Sequence, residues 1–319
     1  MKMAGIWIIA EKNEQVLELL TPAGQLAAPD GGRITVVVPE AAGNPEDCFA
    51  AGAAAVLLLA PLPGETALGA WLPVLEAEIK AADPDVVLLA ATSRGKELAA
   101  RLAARLETGL CSNCLSLIPG PDGSLVMERL AYGGAALQRV TVAGRPVMAT
   151  IPPRTFPPAA TVTGREGEVR KLPPPPPDPV RIVARKEKER SAQDITAAKT
   201  VVCVGRGVEK REDLDLARQL AAALGGELGC TRPISEELHW LPDNLCIGLS
   251  GVQVKPELYI GLGVSGQIQH LTGLRGARMI CAVNRDPNAP VFAAADLGIV
   301  GDLYEVTPQL IEELKKLRG

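Results

Sequence analysis

Six short segments in the last third of the chain combine small residues with hydroxyl, amide and charged side chains. They are Gly205-Arg206-Gly207, Cys230-Thr231-Arg232, Gly248-Leu249-Ser250-Gly251, Gly263-Val264-Ser265-Gly266, Asn284-Arg285-Asp286 and Gly301-Asp302. Glycine lets a backbone approach a ligand closely. Ser250 and Ser265 offer hydroxyls beside backbone N–H groups. Ser265 is placed to cap the helix that follows, which would turn that helix N-terminus towards an anionic group such as a phosphate. Arg206 and Arg232 add positive charge and flat stacking surfaces, and Asp302 can hold a sugar or base donor. The set describes a large anionic ligand with polar and planar parts, and a dinucleotide is the natural guess. Neither the G-x-G-x-x-G turn nor the Walker A sequence is read here, so no standard nucleotide loop is expected.

The elements that must position these residues follow from the apolar pattern. The chain has 319 residues, enough for two ordinary domains, and 47% are apolar but only 3% aromatic. Ala, Val, Leu and Ile must therefore build the core, which suits helices packed on parallel strands. In the first half, residues 6–10, 34–39, 53–60 and 86–90 read as strands, with helices over 68–82 and 93–106. The pattern changes over 125–151 to runs broken by Gly and Pro, which predicts antiparallel strands at a sheet edge. The rhythm restarts in the second half. Strands are expected at 200–205, 227–231, 244–249, 257–263, 277–284 and 297–300, with a helix over 213–224 ended by Gly225-Gly226. The last helix is expected to have Thr307 as N-cap and Pro308 at its first position, with Lys315, Lys316 and Arg318 in its last turn. The expected fold class is α/β, two domains of largely parallel sheet flanked by helices, the C-terminal one doubly wound. Each segment singled out above falls at the carboxyl end of a predicted strand, where open parallel sheets bind ligands.

Between the halves, five consecutive prolines, Pro173 to Pro177, predict an extended surface spacer over roughly 172–180. A charged run at 185–190 follows, and the boundary is expected at 187–188, giving domains 1–187 and 188–319. Net charge is −4, which argues against a nucleic-acid partner. The seven cysteines are odd in number and mostly sit in apolar runs, so they read as reduced, buried thiols of a cytoplasmic protein. Cys111-Ser112-Asn113-Cys114 is a single CxxC, weak evidence for zinc. It reads as ordinary buried thiols, with a transient disulfide as the alternative. No segment reads as a signal peptide or a membrane span, and His239, beside Trp240, reads as a structural or surface residue.

The run Lys255-Pro256-Glu257-Leu258-Tyr259-Ile260-Gly261-Leu262-Gly263-Val264-Ser265-Gly266-Gln267-Ile268-Gln269-His270-Leu271-Thr272-Gly273 resembles the signature of electron transfer flavoprotein alpha subunits. Residues 283–292, from Val283-Asn284-Arg285-Asp286-Pro287 on, and 295–303, ending Gly301-Asp302-Leu303, continue it. The likeness is strongest from Thr200 onward and looser through 95–106 and 151–156.

The resemblance implies a C-terminal domain that holds FAD. By it, Arg206 belongs to the site, and Thr231-Arg232 matches a pair whose arginine lies against the isoalloxazine. Ser250, in the segment Gly248, Leu249, Ser250, Gly251, matches a hydroxyl near the flavin N5. Ser265, Gly266, Ile268, Gln269 and His270 line the flavin and its chain, and Asn284, Asp302 and Leu303 match residues near the adenosine end. Gln267, within the motif, reads as a solvent-facing helix residue. The family often has Gln-Thr where this chain has Leu249-Ser250, so a different flavin potential is expected. Flavin takes up electrons readily when negative charge at N1 and the C2 carbonyl is stabilised. His270 at a helix N-terminus and Arg232 near the ring are expected to supply that.

The resemblance further implies a heterodimer with a beta subunit, acting as an electron carrier and not as a self-contained enzyme. Electrons would pass from acyl-CoA dehydrogenase-type flavoenzymes, in fatty acid β-oxidation, to a quinone oxidoreductase. Two alternatives stand beside this: an NADH-dependent bifurcating complex that reduces ferredoxin, and a non-redox nucleotide-binding regulator. No catalytic acid, base, nucleophile or metal ligand is expected.

Overall fold

A computed structural model describes residues 5–27, 32–62, 68–120, 123–176, 180, 182–184 and 194–318. Contacts within the chain gather into two compact units, Met1–Ala131 with Ala136–Lys186, and Tyr132–Ala135 with Glu187–Gly319. The expected boundary at 187–188 and the charged run at 185–190 lie outside the described residues, as do the last of the five prolines and the two residues after it.

The first unit is built on strands β1 (Gly5–Ile9), β2 (Arg33–Pro39), β3 (Ala55–Leu59), β4 (Val86–Ala90), β5 (Leu110–Cys111), β9 (Val147–Ile151) and β10 (Glu168–Lys171). Their order is β10-β3-β2-β1-β4-β9-β5, and every pair is parallel. Helices α1 (Asn13–Leu26), α2 (Pro45–Ala50), α3 (Leu72–Ala82) and α4 (Ser93–Arg105) connect them. Both faces of the sheet are covered, which is why its strands are unbroken apolar runs instead of alternating ones. Ile6, Ile8, Val36, Val38, Val56 and Leu58 enter one core, while Trp7, Ile9, Val37, Leu57, Leu59 and Leu89 enter another. This alternation is the period of two expected when successive side chains point to opposite faces.

Strands β6 (Cys114–Pro119), β7 (Leu125–Ala131) and β8 (Ala136–Val140) form a separate antiparallel sheet. The expectation of antiparallel strands over 125–151 therefore holds for β7 and β8 but not for β9, whose five buried residues pair in parallel with β4. The strand β10 was not foreseen: its sequence is charged and exposed because it lies at a sheet edge, against β3. Leu172 continues that pairing through an N–H bond to the Leu58 carbonyl, and the prolines that follow have no regular structure as far as Pro176.

The second unit has strands β11 (Thr200–Val204), β12 (Glu227–Cys230), β13 (Leu258–Leu262), β14 (Ile280–Asn284) and β15 (Leu297–Val300), in the order β12-β11-β13-β14-β15, all parallel. This 2-1-3-4-5 order is that of flavodoxin-like doubly wound sheets. Its helices are α5 (Leu214–Leu224), α6 (Ile268–Leu271), α7 (Val291–Ala294) and α8 (Leu303–Arg318). Gly225 ends α5 in the left-handed conformation, with φ 65°, the role the sequence assigns it. The strand expected over 244–249 is absent. A 3₁₀ turn at Asp243–Leu245 and two isolated bridges, Cys230 to Cys246 and Ile247 to Val252, take its place. The last helix starts four residues before Thr307. Its cap is Asp302, whose Oδ1 accepts from the Tyr304 N–H at 2.8 Å, and Thr307 and Pro308 lie inside the helix.

No helix among the described residues is long and apolar enough to cross a membrane. All seven cysteines are free, six of them buried.

Candidate functional site

Because the second sheet is wholly parallel, the carboxyl ends of its strands share one edge. The chain runs from β11 outward to β12, then returns across β11 to β13, so the topological switch point lies between β11 and β13. There the two following loops meet backbone to backbone. A Cβ on Gly205 would lie 2.7 Å from the Val264 Cα, and one on Gly207 would lie 2.6 Å from the Gly263 Cα. Gly263 itself has φ 61°, a conformation that glycine adopts without steric cost. Gly261, Gly263 and Gly266 have the G-x-G-x-x-G spacing, which corrects the expectation that this turn is absent. The structure limits its meaning: Gly261 is inside β13, and the helix that follows has only four residues.

A pocket of about 200 Å³ opens at this crossing, lined in part by Arg206, Ser265, Asn284, Asp302, Leu303 and Tyr304. Five residues expected at the site are thus brought together here. Asn284 is held in place at both ends. Its Nδ2 donates to the Val264 carbonyl at 2.9 Å, and its Oδ1 accepts from the Asp286 N–H at 2.9 Å.

A second group forms around the loop Gly248–Gly251. The Leu249 N–H donates to the Gln269 carbonyl at 2.7 Å, while the Leu249 side chain is 54% exposed. Gly248 sits so close to the same carbonyl, with φ 152°, that a Cβ would lie 2.9 Å from it. Ser250, Gly251, Ser265, Gln267, Ile268 and Gln269 are exposed, and Gly266 is buried with φ 83°. Ser265 does not cap a helix. The N-cap of α6 is Gln267, which makes no side-chain cap bond, and a single turn carries little dipole.

His270, the third residue of α6, is buried. Its Nδ1 lies 3.0 Å from the Ile247 carbonyl and its Nε2 lies 2.8 Å from the Tyr259 hydroxyl. A carbonyl can only accept, so Nδ1 carries the proton; Nε2 then accepts from the tyrosine O–H. Burial pushes the His270 pKa down to about 4, against the lesser opposing effect of the Ile247 bond. His270 is therefore neutral at physiological pH. The positive charge expected of it, and the helix dipole behind it, are both corrected by this geometry. Its observed work is to tie β13, through Tyr259, to the segment that leads into Gly248.

The third group follows β12. Thr231 is buried, and its Oγ1 has no hydrogen-bond partner. The exposed Arg232 bonds through Nε to Glu236 at 3.2 Å, and Arg206 pairs with Glu237. Both glutamates belong to the π-helical turn Pro233–Glu237. They were not foreseen as part of the site: Glu237 meets Arg206 only when the loops after β11 and β12 converge, and Glu236 meets Arg232 only because the segment forms a helical turn. Tyr259 was missed for a simpler reason: it is an apolar-run residue whose hydroxyl gains a role only when His270 is folded beside it. His239 is exposed, in left-handed backbone with φ 51°.

Both halves of the chain match known protein families. Residues 6–177 match the electron transfer flavoprotein domain, and residues 194–275 match the electron transfer flavoprotein FAD-binding domain. YdiR of Escherichia coli (strain K12) is 34% identical over 99% of both chains. FixB of Salmonella typhimurium (strain LT2) is 33% identical, again over 99% of each, and FixB of Escherichia coli O1:K1 is 34% identical over 98% of each. The FAD-binding match contains the switch-point loops, the Thr231-Arg232 pair, the Gly248–Gly251 loop and α6. The chain belongs to the electron transfer flavoprotein family, as a subunit of the alpha type.

Proposed function

We propose that this chain is the FAD-carrying alpha subunit of a heterodimeric electron transfer flavoprotein, completed by a beta subunit. It would take electrons from acyl-CoA dehydrogenase-type flavoenzymes and pass them to a quinone oxidoreductase or a similar acceptor. The observation that carries the proposal is the switch-point crevice of the 2-1-3-4-5 sheet, with its glycine crossing, inside the segment that matches the FAD-binding domain.

The residues present fit a flavin dinucleotide. Thr231 offers a buried hydroxyl with no partner of its own. The glycine crossing packs the loops after β11 and β13 backbone to backbone at the mouth of the crevice. Arg206 and Arg232 place two cations on the same edge as the hydroxyls of Ser250 and Ser265. Bound flavin would supply the electron-accepting ring. Arg232 would favour negative charge on it, Thr231 and Ser250 would fix it by hydrogen bonds, and Ser265, Asn284 and Asp302 would hold the polar chain and adenosine. His270 would act by holding the Gly248–Gly251 loop in place through Ile247.

The test is to co-express the chain with a beta subunit and measure flavin released on denaturation. The expected result is one FAD per alpha subunit. A colourless heterodimer that takes up no FAD on reconstitution would overturn the proposal. Thr231→Val adds a sharper reading. Removing a buried, unpaired hydroxyl should leave the apo chain as stable or up to about 1 kcal/mol more stable, while FAD retention falls. Unchanged retention on equilibrium dialysis would remove Thr231 from the site.

A further inference from the structure

The first unit holds a pair of cysteines outside everything described for the flavin crevice. Cys111 ends β5 and Cys114 begins β6. Between them Asn113 takes left-handed backbone, φ 53°, and its N–H donates to the Thr150 hydroxyl at 2.9 Å. The turn is thereby fixed, with one thiol at each end of it. The single Cys114 S–H donates to the Ser116 carbonyl at 3.0 Å, and a thiolate on Cys111 would compete for it.

A cation stands over this turn. Arg129 on β7 pairs directly across the sheet with Cys114, and its Nη1 donates to the Ser112 hydroxyl at 2.9 Å. Its Nε is buried with no hydrogen-bond partner. A buried guanidinium N–H left open beside a dithiol is unusual, because such a group is costly to leave unpaired. A thiolate on Cys111 would answer it electrostatically.

We propose that Cys111 and Cys114 form a peroxide-sensing dithiol, in which Cys111 is the attacking thiolate and Cys114 the resolving thiol. The Cys111 sulfur attacks the distal oxygen of a hydroperoxide. An S–O bond forms, the O–O bond breaks, and the departing oxygen takes a proton from water. Cys111 is then a sulfenic acid. The Cys114 sulfur displaces its oxygen, an S–S bond forms, and the Cys114 proton leaves with that oxygen as water. Two thiols are oxidised by two electrons and one peroxide is reduced. A dithiol reductant reverses the change. Both sulfurs are buried, 1% and 0% exposed, so the oxidant class is a small hydroperoxide and not a protein disulfide.

The two thiols are unequal in the way this chemistry needs. The Cys114 hydrogen bond, and less strongly the Arg129 charge, hold Cys111 below the ordinary thiol range. The Cys111 bond and burial push Cys114 far up, so it keeps its proton. Glu128, next to Arg129 in sequence, is turned to Ser116 and Arg139. The other five cysteines, Cys48, Cys203, Cys230, Cys246 and Cys281, are all raised by burial and serve as internal controls.

The experiment treats the full chain, co-purified with its beta subunit, with a small excess of hydrogen peroxide, then counts thiols after denaturation and maps peptides. The expected result is a fall from seven thiols to five, a Cys111–Cys114 crosslink, and full recovery with dithiothreitol. Cys114→Ser should instead accumulate a dimedone adduct at Cys111. Arg129→Gln should slow alkylation of Cys111 at neutral pH roughly tenfold, as a rise of one pKa unit predicts, and Arg129→Lys should restore much of it. Seven remaining thiols, oxidation of Cys111 no faster than of the five controls, or its passage to sulfinic acid without a crosslink would each overturn the proposal. The proposal is independent of the flavin reading, since none of its readouts requires bound FAD.

Discussion

Gly266→Ala is expected to destabilise the second domain by roughly 2–4 kcal/mol, the sum of a positive-φ penalty and backbone overpacking. The residue has φ 83°, and an added Cβ would run into the N and Cα of Val291 at the start of α7. Backbone cannot step aside as a side-chain tip can, so the loop after β13 must move. FAD retention should therefore fall with stability. Urea unfolding of the apo chain checks the first effect and flavin content the second. A change within about 0.5 kcal/mol, the range of ordinary surface substitutions, would show that the loop has room the structure does not give it. Gly24→Ala is the matching control. Gly24 lies in α1 with nothing within 4 Å of its would-be Cβ, so alanine there should stabilise the first unit by about 0.5–1 kcal/mol.

The second large effect is an acid limb set by His270. Its pKa is lowered from 6.5 to about 4 in the folded chain. Above pH 6.5 neither state holds the proton, and the stabilisation from burying the neutral ring is complete. As pH falls from 6.5 to 4 the unfolded chain binds the proton and the folded chain does not. Stability then drops by about 1.4 kcal/mol per pH unit, some 3 kcal/mol in all. Below pH 4 both states are protonated and this contribution is gone. Tyr259→Phe should cost on the order of 1–2 kcal/mol at neutral pH, because it leaves Nε2 with only the weakly donating Cys203 thiol, 3.9 Å away. His270→Gln should be destabilised at pH 7 and should lose the extra slope between pH 6.5 and 4. Chemical unfolding midpoints across that range decide it. An equal slope in wild type and His270→Gln would mean that His270 is not buried neutral.

The unequal legibility of the sequence has physical causes. Doubly covered parallel strands such as β2 and β4 are continuous apolar runs, and nothing else in a chain of this composition looks like them. The strand β10 was invisible because an exposed edge strand need not be apolar. The 244–249 segment reads as strand because Leu245, Cys246 and Ile247 are buried, but its pairing is limited to single bridges. The start of α8 was misplaced by the Thr-Pro pair at 307–308: Pro tolerates a first turn, and Asp302, read as a ligand contact, supplies the cap five residues earlier.

The crevice was legible as a set of strand ends, since parallel topology alone brings Arg206, Ser265, Asn284 and Asp302 to one edge. What could not be read was how those side chains are already engaged. His270 looked like a tunable charge because its two hydrogen bonds come from Tyr259 and Ile247, 11 and 23 residues away in sequence. Likewise nothing local ties Arg206 to Glu237, 31 residues on.

Those paired arginines change what loading the crevice means. With Glu236 and Glu237 as resident counterions, the edge of the sheet resembles an ion-exchange resin already in its salt form. An arriving anionic ligand would not add charge to a bare cationic field; it would trade places with carboxylates carried on a single helical turn. The long-range pull on an anion is weak before contact and strong only after the exchange. Such a site would discriminate by fit at short range, because its two arginines already have counterions.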